Sequence, residues 1–154
     1  MLRRWITFLV ATAIALAPVQ GAATRFALLA SQAQTASANS SAVQVATITQ
    51  AVVGIDITAG SGTVSDFDLW LEVSDDGGTS WYPLAPDVVI VDSTRAATWN
   101  VDADHAYIVD SKASTTAEKY LAVFKQVPAD YVRLRWTLTG TTPSLTFSAD
   151  MVGK

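Results

Sequence analysis

Apolar residues recur at every second position along this chain, and that period admits strands while giving a helix nothing to bury on one side. The clearest run is Asp66 to Ser74. Phe67, Leu69, Leu71 and Val73 fall on one face, and Asp68, Trp70, Glu72 and Ser74 on the other. Near the end, Val132, Leu134, Trp136 and Leu138 alternate with Arg133, Arg135 and Thr137. After Gly140-Thr141-Thr142-Pro143, Leu145, Phe147, Ala149 and Met151 alternate with polar partners. The Gly-Thr-Thr-Pro stretch reads as a turn, so this region is expected to be a hairpin burying Trp136 and Phe147.

Weaker runs fill the interval. Val43 to Thr49 and Val52 to Thr58 alternate, and Ala59-Gly-Ser-Gly-Thr63 reads as a flexible connection. Asp75-Asp76-Gly77-Gly78 supplies the local acceptors and the positive φ of a tight reversal, after which Trp81 to Leu84 resumes an extended path. Asp87 to Val91, Ala96 to Val101, His105 to Val109 and Glu118 to Phe124 are further candidate strands. Thr35 to Ser41 is small and polar and reads as a loop or an extended arm. Asp110 to Thr116 has no period and reads as an exposed loop tip or a contact with a neighbour. Many short strands with Gly, Pro and Ser turns predict an all-β fold, an antiparallel β-sandwich or jelly roll.

The start of the chain is of another kind. Arg3 and Arg4 precede an apolar run from Trp5 to Ala17, which Pro18 ends before the small residues Gly21, Ala22 and Ala23. That order suits a secretion signal, with Val19 and Gly21 at the positions three and one before a cut. A membrane anchor is a second and weaker reading, since the run is short of the roughly 20 residues that cross a bilayer and reaches only if Pro18 and the small residues after it join. A retained apolar arm that packs on a neighbouring subunit is the third reading. The organisation is therefore an apolar arm or signal-like segment over 1–25 and a β-sandwich domain over 26–154.

The chain of 154 residues has no cysteine, which removes disulfides, thiolate metal sites and cysteine nucleophiles, and leaves stability to packing or to association. Beyond Arg25, seven basic residues stand against fourteen acidic ones, a poor balance for gripping phosphates; nucleic acid is not an expected partner. Arg133 and Arg135 are the only close basic pair there. The one histidine, His105, follows Asp102 and Asp104, but no nucleophile elbow or third relay member accompanies it, so no catalytic residue is assigned. Asp75, Asp76 and Asp87, and then Asp102, Asp104 and Asp110, match no EF-hand spacing, and neither a metal nor a cofactor is expected. Of the aromatics, Trp70 lies on the polar side of its strand, and Trp81, Tyr82, Trp99 and Tyr107 lie in extended segments. Interface packing, intrachain core and sugar stacking are all open to them.

Three stretches in order carry a resemblance. They are Leu28-Leu29-Ala30-Ser31 with Thr35 to Ser41, then Glu72 to Tyr82 (EVSDDGGTSWY), then Tyr131 to Thr137 with Gly140 to Ser148. Together they resemble small β-sandwich structural proteins encoded among the head and tail genes of tailed bacteriophages, such as capsid decoration proteins. The resemblance spans roughly Ala27 to Lys154. It implies a non-enzymatic virion protein, a decoration or cement subunit, that acts as a homo-oligomer on a major capsid or tail protein. It also favours the retained arm, so the interface is expected to use Trp5, Phe8 and Leu9 together with Trp70, Trp81 and Tyr82. The N-terminal extension departs from the pattern. That keeps an alternative: an exported β-sandwich module, secreted or periplasmic after signal cleavage, binding a cell-surface glycan or protein.

Overall fold

The computed structural model describes residues 22–45, 48–92, 94–95 and 106–154, so the expectations for Trp5, Phe8, Leu9, Trp99, Asp102, Asp104, His105 and the strand at 96–101 lie outside the described residues. Among the described residues there is no helix, and hence none long and apolar enough to cross a membrane. The strands are β1 (Thr24–Gln34), β2 (Ala38–Asn39), β3 (Val43–Gln44), β4 (Ala51–Ser74), β5 (Tyr82–Leu84), β6 (Val88–Val91), β7 (Thr94–Arg95), β8 (Glu118–Phe124) and β9 (Tyr131–Gly153). All pairings are antiparallel, in the order β1-β9-β4-β8-β6-β7, with β2 and β3 also on β9 and β5 on β4. The expected all-β antiparallel class is the one found.

Its layering has an unexpected origin. The predicted terminal hairpin does not form: β9 runs unbroken through Gly140–Pro143 and pairs with β4 from Ala51↔Gly153 to Ser74↔Tyr131. Likewise β4 runs straight through the Ala59–Thr63 stretch that reads as a connection. Yet Trp136 and Phe147, eleven positions apart on β9, meet edge to face with ring centroids at 5.4 Å. An extended strand would separate them by roughly 36 Å at about 3.3 Å per residue. The β4–β9 ribbon must therefore fold back on itself. Phe67 on the other strand confirms it, with its ring 5.4 Å from that of Phe147 although its pairing partner is Leu138.

Bulges make the fold-back. β4 carries an extra residue between Ile57 and Ala59 and another between Val64 and Asp66, while β9 carries one opposite Ser61–Thr63. Each bulge bends and twists the ribbon. Their net offset of one residue moves the inward side of β9 from Val132, Leu134, Trp136 and Leu138 to Leu145, Phe147, Ala149 and Met151, all buried. Two glycines are required at the bend. Gly62 (φ 72°) and Gly140 (φ 143°) hold conformations L side chains rarely adopt, and a Cβ on either would collide with the carbonyl oxygen of Thr142 or Thr63.

The result is two facing layers cut from one sheet, with strands that switch layers at bulges. The first layer holds β1, the end of β9, the start of β4, β8, β6 and β7. The second holds β2, β3, the start of β9, the end of β4 and β5. Between them lie Phe67, Phe124, Phe147, Ile55, Ile57, Leu69 and Leu134. The open ends of the layers are tied by Val45 N–H donating to Asp130 C=O (2.7 Å), Asp130 N–H to Ser74 C=O (3.1 Å) and a bridge between Ile48 and Val127.

Two segments without a period are placed by side-chain to backbone bonds. The small polar arm lies along β9: the Leu134 and Leu138 N–H groups donate to Ser40 Oγ (3.0 Å) and Ser37 Oγ (2.9 Å), and Trp136 Nε1–H donates to Ala36 C=O (3.0 Å). The Asp110–Thr116 stretch is no free loop tip at its start. Lys112 N–H donates to Phe67 C=O (3.1 Å), and its buried ammonium pairs with Glu118 at 2.5 Å.

Two stability predictions test the fold-back. Phe147→Ala should cost about 3–5 kcal/mol in urea unfolding, as for a large aromatic lost from a packed core. Gly62→Ala and Gly140→Ala should each cost about 1–3 kcal/mol or more. Gly77→Ala, also at positive φ but with open space around it, should cost only about 1 kcal/mol. Equal losses at all three glycines would contradict the bend.

Candidate functional site

The outer face of the second layer gathers the polar sides of β4 and β9. Antiparallel pairing sets Glu72 opposite Arg133 and Trp70 opposite Arg135, with cross-strand side chains about 5 Å apart. Glu72 is the hub. Its carboxylate accepts from Arg133 Nε–H at 2.7 Å and from Trp70 Nε1–H at 3.2 Å, and lies 3.5 Å from Arg135 Nη1. The Glu72 side chain is 5 % exposed, whereas Arg135 is 52 % exposed.

Aromatic rings bracket the charges. The Arg133 guanidinium lies 4.2 Å from the centre of the Trp81 ring, and that of Arg135 lies 5.8 Å from the Trp70 ring. Both are within the range in which a cation is drawn to a ring face. Tyr107 meets Trp70 edge to face at 5.8 Å. A row thus forms across the face: Trp81, Arg133, Glu72, Arg135, Trp70.

The turn between β4 and β5 fixes the end of this row. Asp76 Oδ1 accepts from Ser74 Oγ–H (2.8 Å), Thr79 N–H (2.9 Å) and Ser80 N–H (2.8 Å). These donors stabilise the carboxylate, the Ser80 N–H foremost, and hold its pKa at about 2. Gly77 and Gly78 take positive φ, and Trp81 Nε1–H donates to Gly78 C=O at 2.9 Å. The expected tight turn therefore has a positioning role, since it aims Trp81 at Arg133.

The expected interface residues divide. Trp81 is half-buried at the end of the row, whereas Tyr82, 59 % exposed, pairs with Val73 on the edge strand and so lies on the opposite side of the sheet from Glu72. Trp70 is buried by the chain's own residues, so it supports the row from beneath and offers no open surface. The acidic residues do not converge: Asp76 serves the turn, and Asp87 pairs with Lys125 at 2.9 Å. At the far end of the face, burial and the Asp68 carboxylate push Asp66 above the usual carboxylate range. Among the described residues no three potential ligands gather around a metal position.

Sequence reasoning missed Glu72 and reduced Arg133 and Arg135 to a basic pair too small to matter. The alternation did place all three on polar strand sides. What was missing was the pairing of two segments sixty positions apart, which no local pattern encodes.

Two outcomes follow. Glu72→Ala should cost about 3–5 kcal/mol in urea unfolding, because it strands the largely buried Arg133 charge, whereas Arg135→Ala should cost under about 1 kcal/mol. Asp76 has its folded pKa lowered, so its contribution is present above the unfolded value and is lost as pH falls through about 2. A carboxyl titration followed by NMR should place its midpoint near about 2, and one near 4 would contradict the turn geometry.

No family model and no curated protein matches the sequence. Among solved structures, the SPBc2 prophage-derived protein YomS is similar at a TM-score of 0.40 and 13 % identity, over 86 % of this chain and 94 % of that one.

Proposed function

We propose that the chain is a non-enzymatic virion structural protein, a head decoration or cement subunit, that works by burying surface against a major capsid or tail protein. The observation that carries this reading is the row from Trp81 to Trp70, with the exposed Tyr82 next to Trp81 on the sheet edge. Tryptophan, tyrosine and arginine are the residue types that dominate interface energetics. Here they are held before any partner arrives, by Glu72 and by the Asp76 turn. Side chains already fixed lose little entropy on binding, so more of the contact energy survives as affinity.

The reading draws also on the phage-like sequence stretches, two of which build this face: Glu72 to Tyr82 and Tyr131 to Thr137. Attachment of many copies would stabilise a shell by mass action. Particle incorporation tests the role. Trp81→Ala and Tyr82→Ala should each lower occupancy on the particle at least about tenfold, a loss of roughly 1.4 kcal/mol or more per contact. Ser65→Ala, on the exposed bend, should leave occupancy unchanged. Undiminished occupancy in both aromatic variants would sink the proposal. Glycan-array binding lost in Trp81→Ala would favour an exported module instead.

A further inference from the structure

The outer face of the first layer carries a band of aliphatic side chains where a half-buried antiparallel sheet should be polar. Strand pairing sets Val152 beside Val52, Val52 beside Val123 and Val123 beside Val88, a row of four valines across β9, β4, β8 and β6. The next row holds Gly54, Leu121 and Ile90. Leu121 and Val152 are 45 % and 42 % exposed, the most exposed large aliphatic residues among the described ones. A shallow groove of about 580 Å³ runs over Gly54 and Leu121, with Arg25, Asp56, Lys119 and Asp150 also in its lining. Contiguous exposed apolar surface of this kind marks a contact.

We propose that this face packs against the same face of a second copy, about a two-fold axis that runs along the strands between β4 and β8. Two properties of the face select a second copy as the occupant. The first is charge. The domain carries a large acidic excess, which would repel another copy at most orientations, but three ion pairs offset charge on this face. Arg25 pairs with Asp150 at 2.6 Å, Lys119 with Asp56 at 3.2 Å and Lys125 with Asp87 at 2.9 Å. The second is self-complementarity, which a two-fold interface demands. The axis exchanges β4 with β8, so it lays Leu121 over Gly54 of the partner subunit, Val52 over Val123 of the partner subunit and Asp56 over Lys119 of the partner subunit. Across β4 and β8 a side chain meets a gap, aliphatic meets aliphatic and the Asp56 and Lys119 charges meet their opposites, while further out the axis sets Asp150 over Ile90 of the partner subunit.

The size suits a small interface. Four strands at about 4.8 Å spacing and seven residues at about 3.4 Å rise give a flat patch of roughly 450 Å². That is a little over half of the roughly 800 Å² per partner of a standard interface, so the dimer is expected to be of modest affinity.

Sedimentation equilibrium of the full chain tests the proposal. It does not depend on the particle reading, since a dimer through this face would stand even if the Trp81 face bound nothing. A dimer is expected, and Leu121→Asp should weaken it at least about 100-fold by placing a charge in the hole. Tyr82→Asp, on the other layer, should leave it intact. Lys119→Asp should weaken the dimer, and adding Asp56→Lys should restore it, which guards against a variant that merely misfolds. A monomeric full chain would overturn the proposal, and dye binding that rises when residues 1–21 are removed would then name that segment as the cover. A dimer indifferent to Leu121→Asp, or a charge exchange that restores nothing, would overturn it equally.

Discussion

Everything in this fold follows from one long antiparallel ribbon, β4 against β9, that cannot stay straight. Twenty-odd residues of paired strand would reach far beyond the width of a small domain. Left extended, the ribbon would present Phe67, Trp136 and Phe147 to water at separate places. Bulges on both strands and the two close-approach glycines fold it so that those three rings meet. The hydrophobic gain from their burial, about 1.5–3 kcal/mol per large side chain, opposes the strain of the bend. The outer faces inherit their geometry from the same event, because the fold-back decides which strand sides become outside.

Folding one sheet in two also explains how the chain manages without disulfides. The ends of the layers are joined by short crossings at Val45–Ala51 and Phe124–Tyr131, and both are tied by backbone hydrogen bonds. The N-terminal arm adds side-chain oxygens from Ser37 and Ser40 to the donors of β9. These bonds satisfy an edge that would otherwise expose unpaired groups.

Strand identity was legible in the sequence where one face is polar. The runs at Asp66–Ser74, Val132–Leu138 and Leu145–Met151 are strands with the inward sides that alternation assigns. The change of parity between Leu138 and Leu145 was legible too, but its cause was not. A hairpin turn and a bulged bend both use glycine, threonine and proline, and both shift the period by one. Only pairing with a distant strand separates them. The same limit hid the candidate site, because Glu72 and Arg133 become neighbours through β4–β9 registration. The valine row was hidden for the opposite reason: Val88–Val91 and Leu121–Phe124 are apolar on both sides, so no alternation tells which residues face out.

The two outer faces divide the proposed work. One carries aromatic and arginine side chains locked by a buried carboxylate, suited to a different protein. The other carries a band of valine and leucine flanked by ion pairs, suited to its own copy. The most direct test is an electron cryomicroscopy map of the particle that carries this subunit. The account predicts density from another protein against Trp81, Tyr82 and Arg133, and a second copy against Val52, Leu121 and Val152. A subunit with both faces bare to solvent would contradict it.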